Sequence, residues 1–453
     1  MELAVNTIFA QNALIGGEWA SNVRLTIEHG AVRSIERDAI PAGNDERHRL
    51  IVPGMANLHS HAFQRAMAGL TEVRGSASDS FWSWRTLMYK FALSMTPDDI
   101  EAVAAQLYME MLEAGFTRVG EFHYLHHDRD GRHYAKIAEH AERIGAASAA
   151  TGIGLTLLPV FYARSGFGGT APTEGQRRFI NSVESFSRLM EECRKIISAL
   201  PGGQLGIAPH SLRAATPEEL QAVLPMAGGG PIHIHIAEQT KEVEDCIAWS
   251  GARPVEWLLA NMPVDERWCF IHATHMTDAE TRDMARRGAI AGLCPITEAN
   301  LGDGIFPAPT FLEAGGHFGV GSDSNISISV AHELRQLEYS QRLGLRSRNV
   351  VALPQQSTGA RLFLEALKGG ARALQSQDDI VSGASADFVS LDLGAAPYLS
   401  ANQVLDQWIF ADAIKVDCVW AAGAKLVAGG RHVSRETIVP RFQAVMAALL
   451  DAG

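Results

Sequence analysis

The sequence predicts an α/β fold, a (β/α)8 barrel joined to a small β-sandwich-like domain that both chain ends build together. Three observations lead there. The middle of the chain alternates short apolar runs with stretches of helical periodicity, the mark of parallel βα units. Eight such runs are visible, near residues 51–58, 118–123, 153–160, 205–209, 231–236, 268–272, 288–293 and 317–322. The two ends share a β pattern that the middle lacks. Eight units of this total length fit a closed barrel better than an open sheet, with a doubly wound sheet as the alternative.

Residues 1–52 read as the first part of the β domain. Trp19, Val23, Leu25, Ile27, Val32 and Ile35 alternate loosely with polar residues, and His29-Gly30 reads as a tight hairpin turn. Residues 53–385 form the barrel. Its clearest helix runs from Pro97 to Glu113, with Ile100, Val103, Leu107, Met111 and Leu112 on one face and Thr96-Pro97 as the start signal. Residues 386–453 return to β character in Ala386–Asp392 and Cys418–Gly423, turn at Gly429-Gly430, and end in a helix from about Glu436. No internal repeat or low-complexity tract interrupts this plan.

Composition narrows the function. A chain of 453 residues with 47% hydrophobic and 20% charged residues can bury a sizeable core. A formal charge of -12 without a basic run argues against nucleic-acid binding, while local arginines could still hold an anionic small molecule. The five cysteines form no Cys-x-x-Cys pair, which disfavours disulfides and thiolate zinc sites. No leader-like N-terminus and no apolar run of about 18 residues is visible, so a cytoplasmic protein without membrane spans is expected.

The chemistry lies at the strand exits, where a barrel gathers its functional side chains. The first strand leads through Pro53-Gly54-Met55-Ala56-Asn57-Leu58 into His59-Ser60-His61, two imidazoles on one face of a strand. The second ends in Glu121-Phe122-His123-Tyr124, the fourth runs into His210-Ser211-Leu212-Arg213, and the fifth is Ile232-His233-Ile234-His235-Ile236-Ala237-Glu238. The sixth ends in His272 and the eighth in Ser322-Asp323-Ser324. Histidines and an aspartate at one end of several strands suit a shared divalent ion, zinc or ferrous iron, with room for a water whose pKa falls to about 7. The expected ligands are His59, His61, His235 and Asp323, with His233 as the alternative third imidazole. Glu238 is placed to pass a proton to a leaving nitrogen, and His272 to hold or polarise the water.

Pro-Gly-Met-x-Asn-x-His-x-His, His-Ile-His-Ile-Ala-Glu, Phe-Ile-His-Ala-Thr and Val-Gly-Ser-Asp-Ser together resemble the amidohydrolase superfamily, in its deaminase branch. The resemblance covers nearly the whole chain and implies a distorted barrel, one metal on the four ligands, and a homodimer. Binuclear members carry a carboxylated lysine at the fourth strand's end. This chain has His210 there and no lysine nearby. The stretch His59–Met67, the lid-like Phe81-Trp82-Ser83-Trp84-Arg85, Tyr124 and Arg213 resemble the N-formimino-L-glutamate deiminases of bacterial histidine breakdown. That resemblance implies Gln64, Arg85, Tyr124, His210 and Arg213 as substrate-binding residues.

A dicarboxylate substrate fits these side chains, because the planar fork of arginine donates two parallel hydrogen bonds to a carboxylate. Arg85 and Arg213 are the candidate clamps. The expected reaction is hydrolytic deimination: water at the metal loses a proton to Asp323, assisted by His272, hydroxide attacks the formimino carbon, and Glu238 protonates the departing nitrogen. The alternatives are another mononuclear-metal deaminase, acting on guanine, a pterin or an adenosine derivative, and a non-catalytic barrel, whose signature would be a lost ligand. Trp82 and Trp84 read equally as packing or substrate wall, and His123, His126, His127 and His133 read as surface residues.

Overall fold

The computed structural model describes residues 6–74 and 81–451. The side chains of 81–83, 86 and 87, and with them the expected roles of Phe81 and Trp82, lie outside the described residues. Eight parallel barrel strands are present: Met55–Ser60, Phe116–His123, Gly154–Phe161, a split fourth (Gln204–Leu205 and Ala208–Pro209), Ile232–Ile236, Trp268–His272, Ile290–Leu293 and Phe318–Val320. They form two arcs, strands one to four and five to eight. Short bridges close the ring, Ile207 and Ser211 to the fifth strand and Ser60 to Asp323. Such closure by single bridges makes the barrel a distorted one.

Two expected strands are broken. The run at 51–58 is two strands, Glu46–Pro53 in the β domain and Met55–Ser60 in the barrel, with the chain turning at Gly54. A Cβ at Gly54 would collide with Thr117, so the glycine permits the close approach. The fourth strand breaks where its backbone changes partner. Gly206 donates to Leu157 of the third strand, whereas Ile207 donates to Pro231 at the foot of the fifth.

The helix Pro97–Glu113 has the expected bounds, opened by a capping box between Thr96 and Asp99. Its apolar face is fully buried against the barrel. A second helix, Thr358–Leu374, closes the barrel floor: Ala373 accepts from His233 Nε2 at 2.8 Å, and Leu374 from the Thr156 hydroxyl at 3.1 Å. Above it, Leu58, Ile271, Ile290 and Leu374 fill the barrel centre, so only the opposite end is available for chemistry.

Both chain ends share one eight-stranded sheet. Phe388–Asp392 pairs with Glu46–Pro53, setting Phe388 opposite Pro53 and Val389 opposite Val52. Every neighbouring pair is antiparallel except Asn6–Ile15 with Glu46–Pro53. The sheet curls on itself, packing Val23, Leu25 and Val32 with Phe388 and Trp420 in a separate core. The turn at His29-Gly30 has φ of 54° and 80°, the left-handed pair that a two-residue hairpin needs. The last helix is Arg435–Asp451, tied to the barrel by an ion pair from Arg441 to Glu101 at 2.6 Å.

Candidate metal centre and active site

Four buried side chains from three strand exits converge above the barrel. Nε2 of His59 and of His61 lie 3.4 and 3.2 Å from Asp323 Oδ1, and Nε2 of His235 lies 3.1 Å from that of His59. Their second nitrogens explain the orientation: Nδ1–H of His61 donates to the Phe122 carbonyl at 3.0 Å, and that of His235 to the His210 carbonyl at 3.1 Å. The rings of His61 and His235 therefore turn an Nε2 lone pair inward. Burial, with the neighbouring imidazoles, pushes His59 down to about 3 and His235 well below the usual histidine range, so both are neutral. Burial opposes the charge of Asp323, but the His59 and His61 rings against it and the cationic His272 beside it hold it well below the carboxylate range. Inward lone pairs around one buried carboxylate fit a single divalent cation. His233, the alternative ligand, instead bonds the barrel floor.

The backbone is strained where it presents these groups. Ala237, His272 and Asp323 have φ of 52°, 68° and 45°, left-handed values that side chains disfavour. A buried network holds the first and eighth strands together against this strain. Asn57 donates to Ser322 Oγ at 2.7 Å and accepts from the Ser322 amide at 3.1 Å. Asn325 accepts from Ser322 Oγ at 2.6 Å and donates to the His61 carbonyl at 2.9 Å.

His272 stands beside the four, with Nε2 at 3.7 Å from Glu238 Oε1 and 3.8 Å from Asp323 Oδ2, and Nδ1 at 3.3 Å from Glu298 Oε1. Burial works against its charge, but Glu238, Glu298 and Asp323 outweigh it and raise His272 to about 10. Burial raises Glu238 to about 7, so it exchanges a proton near neutrality.

One cavity is lined by His61, His235, Asp323, Glu238 and His272 together with Gln64, Arg85, Tyr124, His210 and Arg213. Gln64 donates to the Tyr124 hydroxyl at 2.9 Å, and Arg85 to the Tyr89 hydroxyl at 2.8 Å. Burial, reinforced by Arg213, keeps His210 neutral. Trp84, Met88, Tyr89, Tyr162, Phe179 and Leu301 complete the wall. Sequence reasoning missed Met88, Tyr89, Tyr162, Phe179, Glu298 and the Asn57–Asn325 network. Helical spacing from Arg85 could have found Met88 and Tyr89; nothing local marks the others.

The histidine cluster corrects one expectation. His123, His126 and His127 are buried, and only His133 is exposed. His126 and His127 donate to the carbonyls of Val160 and Ile180, and His140 accepts from the buried Arg178 at 3.0 Å. Carbonyl partners let polar rings that sequence assigns to solvent sit inside.

A family model described as "Amidohydrolase family" matches residues 50–426, and one described as "Formimidoylglutamate deiminase HutF, N-terminal domain" matches residues 5–49. The chain belongs to the amidohydrolase family. Within it, the chain groups with the formimidoylglutamate deiminases: it is 51% identical to the one from Pseudomonas aeruginosa, over 99% of this chain and all of that protein. A crystal structure of an amidohydrolase from Brucella melitensis superposes with a TM-score of 0.96 at 58% identity, covering 98% of this chain and 100% of the other. An adenosine deaminase from Xanthomonas campestris, solved with bound zinc, shares the fold at a TM-score of 0.80 and 20% identity, over 98% of both chains.

Proposed function

We propose that this chain is a metal-dependent formimidoylglutamate deiminase, hydrolysing N-formimino-L-glutamate to N-formyl-L-glutamate and ammonia. The observation that carries this reading is that Arg85 and Arg213 line the same cavity as His61, His235 and Asp323 of the metal group. Two fixed cations beside a hydrolytic centre suit a substrate with two carboxylates, whereas a purine offers them none. The 51% identity with the Pseudomonas aeruginosa enzyme supports the same substrate.

His59, His61, His235 and Asp323 would hold one divalent ion, zinc on the strength of three imidazoles and one carboxylate, with ferrous iron the alternative. When bound, such an ion supplies Lewis-acid charge that brings the pKa of water to about 7. Asp323, ionised, takes a proton from the attacking water, and His272, as a cation, orients it and faces the negative charge that develops on the attacking oxygen. Glu238 carries a proton to the departing nitrogen, its pKa of about 7 letting it receive and release that proton near neutrality. Arg85 and Arg213 pair with the carboxylates, while Gln64, Tyr124 and His210 provide neutral polar contacts.

The formimino group keeps the N–C–N unit of an opened imidazole ring, which supports a role in histidine degradation. A cytoplasmic homodimer completes the proposal. Among the described residues no helix is long and apolar enough to cross a membrane. The test is product analysis in ¹⁸O-water. The reading expects ammonia and N-formyl-L-glutamate with one labelled formyl oxygen; glutamate and formamide would overturn it.

A further inference from the structure

Glu242 is the third residue of the helix Thr240–Ser250, whose N-cap is Gln239. A glutamate at this position ordinarily reaches back to the N-cap amide. Here it reaches further. Its Oε1 accepts from the Ala237 amide and its Oε2 from the Glu238 amide, both at 3.2 Å. Its side chain is fully buried. The amides it holds belong to the strained exit of the fifth strand, where Ala237 takes a φ of 52° between the ligand His235 and the proton carrier Glu238. The carbonyl of Ala237 is bonded in turn by the His275 amide at 2.9 Å, so the exit is fixed from both sides.

A buried carboxylate without other compensation is costly, which makes a helix-stabilising role a poor account of this residue. Arg213 supplies part of the compensation. Burial opposes the charge of that guanidinium, and Glu242 and Glu238 are the carboxylates that offset the penalty. Glu242 thus lies where the strand exit, the proton carrier and the carboxylate clamp meet.

We propose that Glu242 is a positioning residue for the deimination reaction: by bonding the amides of Ala237 and Glu238 through its two oxygens, it sets the turn that aims Glu238 at the departing nitrogen. This rests on the function proposed above. Unlike a carboxylate, an amide presents only one acceptor oxygen, so Glu242→Gln would leave one buried N–H facing another donor. The turn would shift, and misplacing a reacting group by about 1 Å costs on the order of 100-fold in rate.

The experiment is a double-mutant cycle on the metal-loaded enzyme, with kcat and KM for N-formimino-L-glutamate measured in wild type, Glu242→Gln, Glu238→Gln and the double variant. The expected result is a kcat loss of about 10- to 100-fold in Glu242→Gln, with KM within about twofold and metal content unchanged, and no further loss when Glu238 is already glutamine. An intact kcat, or an equal loss in both backgrounds, would overturn the proposal. Should Glu242→Gln fail to fold, Glu242→Asp, which keeps both acceptors one methylene short, enters the same cycle with the same criteria. A wild-type enzyme inactive on N-formimino-L-glutamate would instead refute the proposed function.

Discussion

His272 and Glu298 face each other across 3.3 Å of buried space, Nδ1 to Oε1, while the other ring nitrogen looks toward Glu238 and Asp323. Glu298 also accepts from the Cys294 amide at 2.9 Å, which fixes the carboxylate that orients the ring. An imidazole enclosed by three carboxylates is held as a cation, and this has a consequence for stability.

Because its folded pKa, about 10, exceeds the ordinary value near 6.5, the ionised His272 stabilises the metal-free protein fully below pH 6.5. That contribution is lost as pH rises through 10. Thermal unfolding of chelator-stripped protein should therefore show a gap between wild type and His272→Asn that narrows from pH 6.5 to 10. A constant gap would contradict the cationic assignment.

Asp323 accepts a proton in the proposed reaction, and Asp323→Asn keeps its shape without that capacity. Turnover should fall by about 100- to 10,000-fold, the usual scale of general-base catalysis, in protein that still carries metal. Near-normal turnover with normal metal content would remove the proton-transfer role.

Arg213→Met deletes a charged partner from the pocket wall. Hydrogen bonds to charged groups are worth about 1.5–3 kcal/mol, so KM should rise roughly 10- to 150-fold. Initial-rate kinetics across substrate concentration would show this. An unchanged KM and kcat would mean that Arg213 is not a clamp.

Asn57→Ala breaks two bonds to Ser322 in the network behind the ligands. Orphaned buried partners cost about 1–3 kcal/mol each, so the midpoint of denaturant unfolding should drop and metal should bind more weakly. Unfolding and metal titration of the variant check both. Wild-type values in each would show that the network does not support the centre.

The metal group was legible because barrel strands order side chains simply: an exit position implies the top of the barrel, and period two decides which face a residue takes. His59, His61, His235 and Asp323 could be placed from apolar runs alone. The split at Gly54 was legible in part: Pro53-Gly54 is a turn signal and coincides with the expected domain boundary after residue 52, but the apolar residues on both sides of it read as one strand. The buried His126 and His127 escaped because their carbonyl partners, Val160 on the third strand and Ile180 in a later loop, lie 34 and 53 residues away. Asn57 sat inside the motif all along, but its partner Ser322 lies 265 residues away. Local patterns expose what a strand presents and hide what holds it there.

The central claim is tested most directly by ammonia release from N-formimino-L-glutamate, measured beside guanine and adenosine with metal-loaded and chelator-stripped enzyme. Metal-dependent release from the formimino compound alone is the predicted result. Release from a nucleobase in its place would contradict the arginine-clamp account while leaving the metal centre standing.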